Sequence, residues 1–367
     1  MFFFRSRPFS AKVSLIVIGI VLPLFTFELA VRSLGPIMPG NYQTAAFTSA
    51  ESAGPQNRPY AAGYKRTSEF TTAVRINSKR LRGPEIDYAK PANTYRTLVL
   101  GDSYMFALQV DEHETFAMRL AEYLTQTTGA DLAFEVINGG ADGWSTVNEY
   151  AWLVTEGYRY DPDLVVLAYF MGNDPGENAD RVGGIAPGGR VLPRDLDNDL
   201  WHDGRRMLSE RSALWNIFEF GVLAKFTAPS NERISRREDG VLRDPSSDRK
   251  ARGWALSEDL LGLMRDYCEQ RGLRLMIVSI PMAAQLDDEE ADVTPILDLG
   301  RRINVPAIDL LPSFKREAHG ADDPLYFPKD QHWTAGGHDL AARIVAAELR
   351  GKELVPGRAS RQARFTW

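Results

Sequence analysis

The sequence has almost no cysteine and no strong excess of either charge. Its 367 residues include one cysteine, Cys268, which excludes an intramolecular disulfide and a cysteine-based metal cluster. The formal net charge of −6, from 43 basic and 49 acidic residues, gives no electrostatic case for a nucleic-acid partner. Cys268 lies among apolar residues at helical spacing, so we predict a buried packing residue rather than a nucleophile.

Several motifs of known enzyme classes are also missing. There is no His-Glu-x-x-His pattern and no glycine-rich phosphate loop, so metalloproteases and nucleotidases have no support, and we predict neither a metal ion nor a cofactor. The nucleophile elbow of α/β-hydrolases needs glycine two residues after its serine. The serine at position 103 is followed there by Met105. A chymotrypsin-type site is disfavoured too, because Tyr104 and Met105 stand where that site has glycines.

One long apolar run stands near the N-terminus. Residues 13–31 lie between Lys12 and Arg32 and contain a single charged residue, Glu28. A helix of this length spans about 28 Å, close to the thickness of the bilayer's hydrocarbon core. No small-x-small cleavage site follows this run. We therefore predict an uncleaved single-pass anchor, residues 1–34, rather than a cleaved signal peptide. The basic residues before it predict a cytoplasmic N-terminus and an extracytoplasmic domain, periplasmic in a Gram-negative cell.

The rest of the chain divides by composition and periodicity. Residues 35–68 are predicted to be a linker, 69–354 one domain, and 355–367 a flexible tail. Apolar strands alternate with amphipathic helices in the domain, which indicates an α/β fold with a mostly parallel sheet covered on both faces. The expected strands are 95–101, 132–139, 163–170, 273–281 and a strand near 305–311, and the expected helices are 114–129, 145–157, 257–272, 293–303 and 335–350.

This alternation is interrupted by residues 175–252, which we predict to be an insertion. Residues 175–191 have the composition of a loop, 212–226 the pattern of an amphipathic helix, and 231–253 that of a charged, mobile segment. An insertion of this length is usually a lid, a partner surface or disordered. For 212–226 we favour packing against the domain, then a role as a lid, and last a contact with the membrane surface.

Three predicted strands end in polar residues. The first ends in Gly-Asp-Ser at 101–103, the second in Asn-Gly-Gly-Ala-Asp-Gly at 138–143, and the third in Met-Gly-Asn-Asp at 171–174. Each stretch alone is ordinary turn chemistry. Ligands of open parallel sheets bind at the carboxyl ends of the strands, so three such stretches predict a site at that edge.

A serine nucleophile at this edge needs a general base. Of the five histidines, His332 alone has an acid in immediate reach, Asp330, within a polar turn context. In an extended segment two residues at this spacing point the same way, so the carboxylate could orient the ring toward Ser103. The competing interpretations are a helix-capping role for His332 and an ordinary strand-to-helix turn at Ser103.

The polar blocks occur in the order of a known family. They are Gly101-Asp102-Ser103, Gly143 after Asn138, Gly172-Asn173-Asp174, and Asp330-Gln331-His332. Over residues 95–350, apart from the insertion, the chain resembles the SGNH (GDSL-type) hydrolases. The resemblance implies a flavodoxin-like three-layer α/β/α sandwich. It also implies these roles: Ser103 as nucleophile, His332 as general base, Asp330 as the acid that orients it, and the Ser103 N–H, the Gly143 N–H and the Asn173 amide as oxyanion hole.

Two features depart from the commonest family pattern. The acid of that pattern lies three residues before the histidine, where this chain has Lys329, and the Asp330 arrangement resembles carbohydrate-acyl members. The third block has glycine directly before Asn173 rather than two residues before it.

The resemblance leads to an expected function. It implies a serine esterase that removes ester groups, O-acetyl groups first, from cell-envelope or exported carbohydrate through an acyl-serine intermediate. Two alternatives remain: a carbohydrate O-acyltransferase that uses the same triad, and a catalytically silent component of polysaccharide assembly that uses residues 175–252 as a partner surface. The expected partners are a small-molecule or glycan ester and, through the N-terminal helix, a membrane.

Overall fold

The chain divides into two compact units. One comprises residues 1–46 with 199–228, and the other comprises 47–198 with 229–367. The computed structural model describes residues 9–33, 48–51, 54–127, 132–186, 189–193, 208, 212–216, 218, 248–288, 295–318 and 324–356.

The first unit is built around a helix, α1 (Phe9–Ser33), that contains Pro23. The Glu28 carboxylate accepts hydrogen bonds from Ser212 Oγ at 3.0 Å and from the Leu214 N–H at 2.9 Å. Within the described part of the chain, no helix is both long enough and apolar enough to cross a membrane. The predicted transmembrane span over residues 13–31 is therefore not confirmed, and the localisation derived from it stays a prediction.

The second unit contains all of the described strands. In chain order they are β1 (Thr48–Glu51), β2 (Gly54–Asn57), β3 (Ala62–Arg66), β4 (Thr71–Arg75), β5 (Thr94–Leu100), β6 (Ala133–Asn138), β7 (Leu164–Phe170), β8 (Val182–Ala186), β9 (Arg190–Pro193), β10 (Arg274–Ile280) and β11 (Ala307–Asp309). The helices after α1 are α2 (Ser103–Phe106), α3 (Phe116–Thr127), α4 (Thr146–Thr155), α5 (Asp174–Arg181), α6 (Ala213–Asn216, in the first unit), α7 (Asp248–Gln270), α8 (Pro295–Arg302), α9 (Leu311–Ala318) and α10 (Ala335–Gly351). Short 3₁₀ turns lie at Glu112–Glu114, Gly157–Tyr160 and Ala283–Gln285.

Five strands form the central sheet, and all of their pairings are parallel. The spatial order is β11-β10-β7-β5-β6. Numbered along the chain within this sheet, that is the doubly wound order 2-1-3-4-5. The strand order reverses between β5 and β7, and sheets of this kind bind ligands at the carboxyl ends of the strands at such a reversal. The predicted α/β fold with a mostly parallel sheet is confirmed.

Alternate residues of the strands pack on opposite faces of the sheet. On one face Val99, Val166 and Val278 contact a cluster that includes residues of α3, α9 and α10. On the other face Leu98 and Leu167 belong to a cluster with residues of α4, α7 and α8. The sheet is thus the middle of three layers, as period-2 alternation in fully buried strands requires. Cys268 is buried in the second cluster, which confirms the predicted packing role.

Part of the predicted linker forms regular structure. Within the predicted linker, 35–68, strand β3 pairs antiparallel with β4 to form a hairpin, residues 62–75. Val74 of this hairpin is buried in a small cluster with Phe106 and Leu108. The hairpin is difficult to recognise in the sequence because two of its buried positions, Lys65 and Thr72, are polar. Its buried and exposed positions therefore do not correspond to apolar and polar residues.

The predicted loop at 175–191 is wrong as well. Helix α5 occupies the start of this stretch, with Pro175 in its first turn, a position that suits proline. Strands β8 and β9 form a hairpin after it. Helix α7 starts at Asp248 and crosses α5 so closely that a Cβ at Gly253 would overlap the Pro175 carbonyl. Of the predicted helix 212–226, the described part is α6, and most of 231–253 lies outside the described residues.

A buried arginine ties the edge of the domain to the turn after β5. The Arg82 Nη1 donates to the carbonyls of Phe106, at 2.9 Å, and of Ala107, and its Nη2 donates to the Val110 carbonyl at 2.5 Å. Burial lowers the pKa of Arg82 to about 10, although the charges of nearby acids oppose this shift. One fork-shaped guanidinium therefore holds three carbonyls of the segment that follows α2.

We expect Arg82→Lys to destabilise the domain by about 2 kcal/mol, because an ammonium group on a flexible stem cannot hold three carbonyls at once. Urea unfolding followed by circular dichroism measures the loss. The exposed Arg316, whose side chain donates to the hydroxyl of the neighbouring Ser313, provides the control: Arg316→Lys should change the free energy of unfolding by less than about 0.5 kcal/mol. Equal urea midpoints of unfolding for Arg82→Lys and Arg316→Lys would show that the Arg82 hydrogen bonds do not stabilise the domain.

Candidate active site

The turn after β5 presents Ser103 at the edge of the sheet. Asp102 is the N-cap of α2, and its Oδ1 accepts the Tyr104 N–H at 2.9 Å. Ser103 is therefore the first helical residue, where a backbone N–H has no acceptor within the helix. The helix ends after one turn because Ala107 adopts a left-handed conformation, φ 59°. The predicted strand-to-helix turn thus exists, and it places the serine at the carboxyl end of β5.

The loop after β6 lies directly against this turn. Asn138 donates through Nδ2 to the Met105 carbonyl at 2.8 Å, and its Oδ1 accepts the Gly140 N–H at 3.0 Å. A Cβ at Gly140 would lie 2.7 Å from backbone atoms of residues 105 and 106. Glycine is required here because the two backbones approach too closely for any side chain.

The structure brings Ser103, His332 and Asp330 together. The Ser103 Oγ lies 2.8 Å from His332 Nε2, and His332 Nδ1 lies 2.8 Å from Asp330 Oδ1. With its proton on Nδ1, the imidazole donates to the carboxylate and accepts the serine hydroxyl proton at Nε2. A chain of hydrogen bonds of this kind can activate a serine for nucleophilic attack.

The segment that carries the acid and the base is a tight loop rather than the predicted extended segment. Tyr326 and Trp333 form an antiparallel bridge that closes the loop, and the Gln331 N–H donates to the Phe327 carbonyl at 2.9 Å. Gln331 has φ 67°, the left-handed conformation, which folds the Asp330 carboxylate back onto the His332 ring. The Tyr104 hydroxyl donates to the Gln331 carbonyl at 2.9 Å, so the residue after Ser103 holds this turn.

The charges of the acid and the base shift each other's pKa. Burial alone would lower the pKa of His332, but the hydrogen bond and the charge of Asp330 outweigh it, and the net pKa lies above 6.5. Burial alone would raise the pKa of Asp330, but the hydrogen bonds from His332 and Gln109 bring it below its usual value. The pair therefore favours a charged carboxylate and a base strong enough to take the serine proton.

The predicted oxyanion donors occupy two different environments. Asn173 lies beside the serine turn and donates one Nδ2 hydrogen to Asp102 Oδ2 at 3.2 Å. Burial raises the pKa of Asp102 to about 6, against the opposing effects of the Tyr104 N–H and of His332. Gly143 has φ 73°. Burial raises the pKa of the neighbouring Asp142 carboxylate, and the Gly143 N–H opposes this shift.

The other histidines stand apart from this arrangement. His338 is buried in α10 with its ring edge-on to Trp333, and burial lowers its pKa to about 3. His338 is therefore a packing residue of the core. His113 lies in the 3₁₀ turn at Glu112–Glu114, and His202 and His319 lie outside the described residues.

Three side chains near Asp330 were not predicted from the sequence. Gln109 donates through Nε2 to Asp330 Oδ1 at 2.9 Å, and Glu69 accepts the Asp330 N–H. Lys65 is buried, which lowers its pKa against the opposing charges of Asp142 and Asp330. None of them belongs to a local motif, because each reaches the site only through the packing of the 62–75 hairpin and of the segment after α2.

A cluster of buried carboxyls lies behind Asn173. Both carboxylate oxygens of Glu149 are buried and have no hydrogen-bond partner within the described residues. Burial raises its pKa well above the ordinary value, and the charges of Asp174 and Asp102 raise it further. Burial likewise raises the pKa of Asp174, despite the N–H groups that it accepts, and raises that of Glu177 to about 7. The folded domain therefore holds protons here that the unfolded chain releases above about pH 4.5.

Stability should consequently fall as the pH rises from about 4.5 through the raised pKa values, because the unfolded state then binds fewer protons. We expect Glu149→Gln to flatten this dependence, so that the loss of Tm between pH 5 and pH 8 is smaller than in the wild type. Differential scanning calorimetry at both pH values provides the comparison. Glu269, which is exposed, is the control, and Glu269→Gln should keep the wild-type slope. A Glu149→Gln slope equal to that of the wild type would contradict a proton bound at Glu149.

A family model matches the C-terminal part of the chain. Residues 242–367 match a family described as "SGNH hydrolase-like domain, acetyltransferase AlgX". This stretch includes Asp330 and His332 and leaves out Ser103, Gly143 and Asn173. A comparison with curated proteins gives no match.

Solved structures with a related arrangement include several esterases. A two-domain esterase (CEX) active on acetylated mannans is 14% identical with a TM-score of 0.41, and the match covers 72% of this chain and 51% of that one. TesA is 12% identical with a TM-score of 0.39, covering 70% and 98%. A mutant of Axe2, an acetyl-xylooligosaccharide esterase from Geobacillus Stearmophilus, is 12% identical with a TM-score of 0.38, covering 70% and 93%.

This chain spans about half of the two-domain esterase. Over residues 242–367 the chain is similar to an SGNH hydrolase-like domain, which here forms part of an α/β fold with a parallel central sheet.

Proposed function

We propose that this protein is a serine enzyme that acts on O-acyl esters, O-acetyl groups on carbohydrate first among them, through an acyl-serine intermediate. The observation that carries the proposal is the unbroken chain of hydrogen bonds from Ser103 Oγ through the His332 ring to Asp330. These groups come from opposite ends of the domain and meet at the carboxyl edge of the sheet, where such folds bind their ligands.

The reaction proceeds in two halves. His332 Nε2 takes the hydroxyl proton as Ser103 Oγ attacks the ester carbonyl, and Asp330 stabilises the imidazolium that forms. The Asn173 amide, together with the backbone N–H groups of Ser103 and Gly143, binds the oxyanion. When the tetrahedral intermediate collapses, His332 gives its proton to the departing alcohol, and an acyl-serine ester remains.

The second half determines whether the enzyme hydrolyses or transfers. His332, neutral again, deprotonates either water or a sugar hydroxyl, which attacks the acyl-serine carbonyl. As the bond from that carbonyl to Ser103 Oγ breaks, His332 returns the proton to Ser103 Oγ. Transfer to a carbohydrate hydroxyl is the second candidate function. It is favoured by the acetyltransferase description of the family that matches residues 242–367, the stretch that supplies the acid and the base.

We expect the wild-type full-length chain to cleave 4-nitrophenyl acetate and Ser103→Ala to reduce the rate at least about a thousandfold, because no covalent intermediate can form. Ser313→Ala, in α9, is the matched control and should retain wild-type activity.

Acetate release is then measured with and without an oligosaccharide acceptor. Acetylated oligosaccharide in the mass spectrum, with less free acetate, identifies a transferase. Equal rates for wild type and Ser103→Ala would exclude the serine mechanism and favour a silent assembly component.

The raised pKa of His332 predicts the pH profile. A general base must be neutral, so kcat/KM should fall as the pH drops through the raised pKa of His332. Asp330→Asn removes the charge that raises this pKa, so the acid limb should move to lower pH while kcat falls at least about tenfold. If kcat falls by less than this and the acid limb of kcat/KM does not move, a residue other than Asp330 orients His332. Asp322 and Asp323, outside the described residues, would be tested next.

A further inference from the structure

The loop that carries Asp330 is held by a carboxylate from a different part of the chain. Glu69 Oε1 accepts the Lys329 N–H at 2.9 Å, and Glu69 Oε2 accepts the Asp330 N–H at 2.9 Å. The loop closed by the bridge between Tyr326 and Trp333 carries both the acid and the base, and we call it the acid–base loop. One side chain thus binds two adjacent backbone N–H groups of this loop. Hydrogen bonds to a charged acceptor are the stronger kind, and two in parallel also fix orientation.

Glu69 is itself held in place by the turn of the 62–75 hairpin. Thr67 Oγ1 accepts the N–H groups of Glu69 at 3.1 Å and of Phe70 at 3.2 Å, and the Thr67 N–H donates to the Phe70 carbonyl at 2.9 Å. The Phe70 ring packs on Phe327, with centroids 5.1 Å apart. The hairpin turn therefore contacts the acid–base loop through both a polar and an aromatic interaction.

The same hairpin also supports the second group that contacts Asp330. Thr72 donates through its hydroxyl to the Gln109 carbonyl at 3.0 Å in a buried position, and Gln109 donates to Asp330 Oδ1. Glu69 acts on the backbone of Asp330, and Thr72 acts through Gln109 on its carboxylate. Both contacts bear on a loop whose central residue, Gln331, is in the strained left-handed conformation.

We propose that Glu69 is a positioning residue for the Asp330–His332 pair and that the 62–75 hairpin is an integral part of the active site. Its negative charge and its two accepted hydrogen bonds hold the loop in the conformation that places the Asp330 carboxylate against His332 Nδ1. The positioning role rests on the proposed function only for its effect on rate. Its effect on the Asp330–His332 contact exists whether or not the protein is an enzyme.

Glu69→Gln tests the proposal, because the isosteric amide keeps one acceptor and turns an N–H₂ group toward the other backbone N–H. We expect kcat for 4-nitrophenyl acetate to fall about tenfold with KM within about twofold, since a displaced acid weakens the base rather than binding. The pKa of His332, measured by NMR titration of its ring, should fall, and the acid limb of kcat/KM should move with it. Glu69→Asp retains the charge and should recover part of both effects.

Glu85 provides the matched control. Its carboxylate accepts the Ser78 N–H at 2.8 Å and the Ser78 hydroxyl at 2.6 Å, so it also binds one loop through two hydrogen bonds, but that loop does not carry a predicted site residue. Glu85→Gln should leave kcat and the His332 pKa unchanged. Thr67→Val removes the hydroxyl oxygen that accepts the Glu69 N–H. It should shift the His332 pKa in the same direction as Glu69→Gln.

The outcomes separate this inference from the proposed function. An unchanged His332 pKa and kcat in Glu69→Gln overturns the positioning role, and so does a loss of kcat that leaves the His332 pKa in place. If Glu69→Gln fails to fold, Thr67→Val decides by the same titration. If Ser103→Ala and the wild type show equal activity while the His332 pKa still falls in Glu69→Gln, the enzyme proposal fails and the positioning role stands.

Discussion

The hydrogen bond between Ser103 and His332 depends on nearly every other part of the domain. It joins residues 229 positions apart, and a contact of that separation survives only if rigid elements hold both ends. The serine end is fixed by the Asp102 cap, by Gly140 and by Arg82. The histidine end is fixed by a closed loop, the bridge between Tyr326 and Trp333, and the packing of α10 on the sheet. The reactive contact is thus a property of the whole three-layer fold.

Negative charge is concentrated around this contact, and it has two opposing effects. Asp102, Asp142 and Asp330 all favour the charged form of His332, which makes the ring a stronger base but keeps more of it protonated near neutral pH. Burial of the ring opposes them. The buried Lys65 offsets part of the negative field at Asp142 and Asp330. The behaviour of the site therefore reflects a balance between burial and surrounding acids rather than one dominant pair.

The sequence was most informative where chemistry coincides with a regular element. Ser103 and Asn173 each follow a strand that ends in a run of apolar residues, so the sequence locates them at the carboxyl edge of the sheet. The contacts of Glu69 and Gln109 with Asp330 depend on how a hairpin docks on a loop, which leaves no local pattern. The conformation of Gln331 is equally unreadable, because glutamine rarely adopts positive φ. Helix α5 was missed for a related reason, since its polar sequence, which includes Pro175 and Gly176, is stabilised by tertiary packing against α7.

The order of the active-site elements along the chain also bears on how the protein is made. Glu69 and Ser103 belong to the first third of the chain, whereas the acid–base loop and α10 follow the edge strand β11. Synthesis proceeds from the N-terminus, and domains fold as their residues emerge. A nascent chain therefore presents a serine hydroxyl without its base through most of translation, and the Ser103–His332 contact can form only after the acid–base loop and α10 have emerged from the ribosome.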